Sequence, residues 1–267
     1  MEGYKLAEKP RRFFGLGLPN VVINQLKGKL ITIEGTDGAG RSTQIQLLKE
    51  WLEIQGFAVM ETGWTRSKLV GKTIGDAKEG HWLNPLTYTL LYTTDFADRL
   101  ENEIIPALKA GYVVLADRYI FTVFARTKIR NVDPQWIRDL FGFALVPDLV
   151  FYLRIDPNTL IRRVLDSNRM DYWEAGMDLN PGLDIYDSFK KYQTYLLREF
   201  DQLAKEFSFL VIDGRKSISR IQAFPCSLLP DSRAHASASI STNMAGSMRR
   251  LTSTILVAGL ISRKNSP

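Results

Sequence analysis

The chain is poor in the residues from which most metal centres and nucleophilic sites are made. Its 267 residues hold one cysteine, Cys226, and two histidines, His81 and His235. A single thiol excludes an intramolecular disulfide and suits a reducing compartment, so a cytoplasmic protein is expected. Two histidines leave little material for a His/Cys metal centre or a His-based triad. Long apolar runs are lacking as well. Residues 1–28 carry Lys5, Lys9, Arg11 and Arg12 with no continuous apolar core of the kind export requires, and read as a flexible basic arm. The run Leu251–Ile261 is too short to span a bilayer and is broken by Thr and Ser. Neither a membrane partner nor an internal repeat is expected.

What is present is ordinary in bulk: 45% apolar, 24% charged, net charge +6. A basic balance suits nucleic acid or a pocket for phosphorylated small molecules. The charge is scattered and no recognition motif for nucleic acid accompanies it, so the pocket is favoured.

The informative stretch is residues 30–43. Leu30–Ile33 is a β-branched apolar run, a buried strand by pattern. Gly35, Gly38 and Gly40 follow, and then Ile45, Leu48 and Leu52 fall on one helical face. The spacing Gly35-x4-Gly40-Arg41-Ser42 is that of a Walker A loop, with Arg41 where Lys is usual. Glycines let backbone amides curl inward, and the following helix N-terminus adds positive potential; both suit a polyphosphate. Gly35, Thr36, Asp37, Gly38, Ala39, Gly40, Arg41, Ser42 and Thr43 are therefore expected to hold ATP, with the Ser42 hydroxyl available to Mg²⁺. Arginine is a longer, planar cation than lysine and would clamp phosphate from a different depth.

Further along, strands are expected at Phe57–Glu61, Tyr112–Ala116, Leu149–Ile155 and Phe209–Ile212. Helical patterns run from Pro85 to Lys109, with Pro106 as a late kink, from Asp133-Pro134, from Asp156-Pro157, and over Tyr186–Phe207. Residues 166–183 are polar and Gly-bearing, as a mobile loop would be. Alternating strands and helices predict a parallel sheet with helices on both faces, and ligands at the carboxyl edge of the strands. The glycine loop, Arg66, Asp117-Arg118 and the 166–183 loop all map to that edge. From Ala223 onward Asp231 is the sole acidic residue, Ser and Ala abound, and no steady period is visible. The expected organisation is a basic arm over 1–28, a nucleotide-binding domain over 29–221, and a disordered or weakly packed tail over 222–267.

Taken together, Ile33-Glu34-Gly35-x-Asp37-Gly38-x-Gly40-x-Ser42-Thr43, Asp117-Arg118-Tyr119 and Pro147-Asp148-Leu149 resemble the thymidylate kinase family over roughly residues 29–221. The resemblance implies an α/β fold: a P-loop NTPase three-layer α/β/α sandwich with a five-stranded parallel sheet and a mobile lid. It implies transfer of the γ-phosphoryl of ATP to dTMP, with Mg²⁺, in a homodimer. By the same resemblance Ser42 and Asp117 look like the metal ligands, and Asp37, Arg66, Arg118, Tyr119 and Thr122 belong to the acceptor site. Asp37 equally suits a turn, and Arg118 a salt bridge with Asp117.

The base pocket departs from the family. Tyr92, Asp95, Phe96 and Arg99 share one helical face. Tyr92 falls on the base-stacking aromatic, but Phe96 stands where an arginine usually reads the pyrimidine, and Arg99, one turn on, is a candidate substitute. Tyr92 and Phe96 also fit a plain core stripe. Arg126 and Thr127 replace the family's Tyr and a base-contacting polar residue. The lid keeps Asp171 and Glu174 but has Leu165, Ser167 and Tyr172 in place of arginines. Candidates for the catalytic role are thus Arg41, Asp117, Arg163 and Arg169, with Arg162 adjacent. Two function classes stay open: a deoxynucleoside monophosphate kinase, dTMP first, or a nucleotide-binding module with weak or no kinase activity.

Overall fold

Leu30, Ile31 and Ile33 are each at most 3% exposed, because strand β1 (Lys29–Gly35) is covered on both faces. In the computed structural model, which describes residues 10–80, 84–167 and 171–229, β1 is the centre of a five-stranded sheet. The other strands are β2 (Val59–Gly63), β3 (Val113–Asp117), β4 (Leu149–Arg154) and β5 (Leu210–Asp213). All pair in parallel, in the order β2-β3-β1-β4-β5. Each expected strand is present, shifted by at most two residues at an end. The sequence switches sides at β1, between β3 and β4, which opens a crevice at the carboxyl edge. Register sets Asp117 beside both Ile33 and Gly63, so the ends of β1, β2 and β3 lie together.

The helices are α1 (Arg41–Ile54), α2 (Gly71–Glu79), α3 (Pro85–Arg99), α4 (Ile105–Lys109), α5 (Ile120–Ile129), α6 (Pro134–Leu140), α7 (Pro157–Ser167), α8 (Ile185–Glu206) and α9 (Ile218–Leu228). Helix α1 buries Ile45, Leu48 and Leu52, the stripe its spacing requires. Proline opens α3 and α6, and the Asp133 carboxylate caps α6 by accepting from Trp136 N at 2.7 Å. The expected single helix over 85–109 is instead α3 and α4 joined by a π-turn, Leu100–Ile104. Pro106 has no N–H for the Asn102 carbonyl and its ring crowds it, and a widened turn relieves both.

Three further differences from expectation are physical. Of the expected arm over 1–28, residues 1–9 lie outside the described residues, and 10–28 are anchored to the sheet domain at several points. Arg11 donates to Leu26 O (2.7 Å), Gly28 O (2.6 Å) and Asp148 (2.7 Å), and Phe14 meets Phe121 and Phe207 edge-on. Helix α9 runs through residues assigned to the tail, with Pro225 buried inside it. The described part of the expected mobile loop is pinned. Trp173 is 5% exposed and its Nε1 donates to Lys78 O at 2.9 Å, while Gln193 holds Glu174 O and Arg130 holds Asp178. Among the described residues no helix is long and apolar enough to cross a membrane.

Candidate active site

The loop between β1 and α1 bends where its glycines allow it. Gly38 (φ 80°) and Gly40 (φ 90°) take left-handed conformations that disfavour any side chain. Helix α1 points its N-terminus out of this loop, which presents an anion site. Arg41, the first helical residue, folds back across it. Its Nε donates to Asp117 Oδ1 at 2.8 Å, and one terminal nitrogen donates to Gly35 O (2.6 Å) and Thr36 O (2.5 Å). Ser42 Oγ lies 3.5 Å from Asp117 Oδ2. A hydroxyl and a carboxylate this close are a hard oxygen pair suited to Mg²⁺ shared with phosphate oxygens. No cluster of three or more His, Cys, Asp or Glu that could cage a metal exists among the described residues.

Across from the loop lies an open cleft of ≈ 530 Å³, lined by Gly63, Trp64, Thr65, Arg66, Lys78, Tyr92, Asp117, Arg118, Thr122, Arg126 and Glu174. Its residues come from the ends of β2 and β3 and the turns after them, from α2, α3 and α5, and from the segment after α7. Asp37 reaches three arginines: Arg41 at 3.6 Å, Arg126 at 2.7 Å, and Arg118 in direct contact. Arg118 follows β3 with φ 66°, a left-handed conformation unusual outside glycine. Burial and the neighbouring Arg126 lower its guanidinium to about 10, which leaves it charged at neutral pH.

Two buried carboxylates brace this arrangement from behind. Glu34, fully buried, accepts from Tyr119 N and from Thr122 Oγ1, both at 2.7 Å. It thereby ties the end of β1 to the start of α5. Burial pushes it up to about 7, against the pull of those bonds and of Arg41 and Arg118. Asp95 accepts from Thr65 N (3.2 Å) and Ser67 N (2.9 Å), which fixes the turn carrying exposed Arg66. By sequence Asp95 falls on the Tyr92 face and Glu34 within the loop motif, with no role expected of either. A carboxylate inside an otherwise apolar strand was the signal for Glu34.

Of the acceptor residues expected from the sequence, Arg66, Tyr92, Arg118 and Thr122 face the cleft, and Asp37 joins them through Arg118 and Arg126. Phe96, Arg99 and Tyr119 do not line it. Phe96 is 0% exposed, in the core. Arg99 is held by Asp95 at 2.9 Å and donates to Thr62 Oγ1 at 2.9 Å, beneath the Trp64 ring. Tyr119 is buried, its hydroxyl on Leu145 O at 2.9 Å. Arg163 donates to Gly214 O at 3.0 Å. Arg169 lies outside the described residues, and the side chains of 165–167 are not described.

The family model for thymidylate kinase matches residues 33–224. A probable thymidylate kinase 2 of Saccharolobus solfataricus is 38% identical over 199 residues, covering 74% of this chain and 93% of that protein. A thymidylate kinase of a Thermoanaerobacter species is 29% identical over 207 residues, covering 73% and 94%. A probable thymidylate kinase of Thermococcus gammatolerans is 36% identical over 146 residues, covering 51% and 70%. With a glycine loop facing an arginine-lined cleft and a family match over most of its length, this chain belongs to the thymidylate kinase family of nucleoside monophosphate kinases.

Proposed function

We propose that the chain transfers the γ-phosphoryl of ATP to dTMP, with Mg²⁺ at the donor phosphates. The observation that carries this reading is the juxtaposition, at one sheet edge, of the Gly35–Thr43 loop with a separate cleft holding Arg66 and Arg118. Phosphoryl transfer needs alignment and charge neutralisation more than covalent help, and two polyanions must meet head to head. The loop amides and Arg41 take the donor. Arg66 and Arg118 take the acceptor phosphate, each able to hold two oxygens. Asp117 sits between the two sides, beside Ser42, and these two would hold the metal. Bound there, Mg²⁺ would neutralise donor phosphate charge. The sugar and base of the acceptor nucleotide would lie toward Asp37, Thr122 and Tyr92. The same reading takes the protein as a cytoplasmic homodimer; α3 exposes Leu86 and Leu90, apolar surface that a second copy would cover.

A second reading is a nucleotide-binding module with little turnover. It is favoured by the three hydrogen bonds that hold Arg41 across the loop. A coupled ADP-release assay over dTMP, dUMP, dCMP, dGMP and dAMP separates the two. The kinase reading expects acceptor-dependent turnover with dTMP the best substrate. ATP binding with no acceptor-dependent turnover would leave the module.

A further inference from the structure

Arg130 caps the C-terminal end of α5 and is 7% exposed. A cation at a helix C-terminus is ordinary, but it is normally left in water. Here all three guanidinium nitrogens are engaged. Nε and one terminal nitrogen donate to the two carboxylate oxygens of Asp178, at 2.8 and 3.0 Å. The other terminal nitrogen donates to Arg126 O and to Tyr192 Oη, both at 3.1 Å. The group also lies over the rings of Tyr88 and Tyr192, at 5.6 and 5.4 Å. A guanidinium is tolerated out of water only where its donors are met, and here they are met by four separate parts of the chain.

Those partners lead to the wall of the cleft. Tyr88 stacks on Tyr92 at 4.3 Å, and Tyr92 lines the cleft. Arg126, one turn earlier on α5, lines it too. Asp178 follows Glu174 in the segment after α7, and Glu174 is the carboxylate that this segment brings to the cleft. The segment is fastened at other points as well. Ser188 Oγ donates to Ala175 O at 2.7 Å, and Gly176 runs so close to Tyr192 that a Cβ there would lie 2.6 Å from the ring. Its own backbone closes turns, with Ala175 N on Asp171 O, Met177 N on Tyr172 O and Leu179 N on Gly176 O.

We propose that Arg130 is a positioning residue: by holding Asp178 against α5 and Tyr88, it keeps residues 171–180 as a fixed wall of the cleft before any nucleotide binds. A polar, glycine-bearing segment left unfastened would be ordered only on binding. The apparent affinity would then fall by the fraction of molecules in which the wall stands formed. Arg130 removes that loss without touching the ligand. The consequence for acceptor binding rests on the acceptor reading given above; the fastening itself does not.

The test compares the wild-type chain with Arg130→Met, Asp178→Asn and the double variant. Hydrogen exchange over peptides spanning 171–180 is followed without nucleotide, and dTMP and ATP binding by calorimetry and steady-state kinetics. In the wild type these amides exchange slowly with the cleft empty, and each substitution speeds them. If the wall then stands in about one molecule in ten, dTMP binds about 10-fold more weakly, in KM and not in kcat, with ATP affinity unchanged. The double variant is no weaker than the weaker single one, because both remove the same fastening. Fast exchange in the nucleotide-free wild type overturns the proposal. So does unchanged dTMP affinity in folded variants, additive loss in the double variant, or an equal fall for dTMP and ATP, which marks general loosening. If Arg130→Met does not fold by thermal melting, Asp178→Asn, which alters the more exposed partner, is read alone by the same exchange and affinity criteria. If the wild type binds no dTMP, the acceptor reading falls and exchange alone decides: slow in the wild type and faster in the variants supports the fastening, and any other pattern overturns it.

Discussion

Arg41 and Asp117, 76 residues apart in sequence, meet at 2.8 Å across the mouth of the glycine loop. The pair joins the start of α1 to the end of β3, and so joins the glycine loop to the arginine-lined cleft that Asp117 also lines. The same guanidinium holds the carbonyls of Gly35 and Thr36. Arginine at this position is therefore built into the loop and is more than a stand-in for lysine.

Lysine has a single nitrogen and cannot reach Asp117 and both carbonyls together. Arg41→Lys is expected to lower kcat/KM, and Arg41→Met to lower it by on the order of 100-fold, as for loss of one transition-state donor. Steady-state kinetics with saturating acceptor measures this. A gain in rate for Arg41→Lys would show that Arg41 hinders turnover.

Glu34 gives the protein an unusual pH response. Folded, it keeps its proton up to about 7, against an ordinary value of 4.5. Between those values the native state binds more protons than the unfolded chain, so stability falls as pH rises through the window and levels off above it. The full effect is on the order of 3 kcal/mol. Glutamine can still accept from Tyr119 N while donating to Thr122. Glu34→Gln is therefore expected to match wild type near pH 4.5, exceed it at pH 8, and lose the slope between. Melting curves from pH 4.5 to 8 read this directly; parallel profiles for the two proteins would contradict it.

Gly38 and Gly40 separate strain from space. Each has positive φ, so alanine at either costs about 1–2 kcal/mol. A Cβ on Gly38 would also lie 3.0 Å from Val164 Cγ2 and 3.2 Å from Leu160 Cδ1, whereas one on Gly40 meets nothing within 4 Å. Gly38→Ala is expected to be the more destabilising and to push α7 off the loop. Thermal unfolding of both variants checks the order; equal losses would mean that α7 yields freely.

These residues also show how far the sequence could be read. The glycine loop was legible because its chemistry is local: turn, helix start and phosphate cradle lie within nine consecutive residues. The strands were legible because burial on both faces makes them continuous apolar runs. Helix α2 was not, since it buries only Gly71 and Ile74 and shows no stripe. The packing of residues 10–28 was hidden because Arg11 finds its partners across the chain, at Asp148 above all. The same holds at the site. Glu34 meets Tyr119 across 85 residues, Asp95 braces a turn 28 residues upstream, and Arg126 meets Asp37 across 89. The Tyr92 stripe was ambiguous by spacing alone: Tyr92 faces the cleft, while Phe96 and Arg99 on the same helix turn inward.

Asp95 offers a test of support from behind the site. Asp95→Asn keeps the size but turns one of two acceptor oxygens into an NH2 donor, so either Thr65 N or Ser67 N loses its acceptor, and Arg99 is left buried without its carboxylate. Loss of one partner of a buried ion pair is expected to cost about 3–5 kcal/mol. Unfolding in urea measures the loss, and in the folded fraction the acceptor KM should rise while the ATP KM does not. An unchanged acceptor KM would separate Asp95 from the positioning of Arg66.

The central claim is that donor and acceptor phosphates are received head to head, one by the loop and one by Arg66 and Arg118. A bisubstrate analogue, adenosine joined to thymidine through a chain of phosphates, tests it most directly by calorimetry. If both ends are held at once, it binds about 100-fold or more tighter than ATP or dTMP alone, and Arg118→Met weakens it without altering ATP binding. An analogue that binds no tighter than ATP, indifferent to Arg118, would contradict the account.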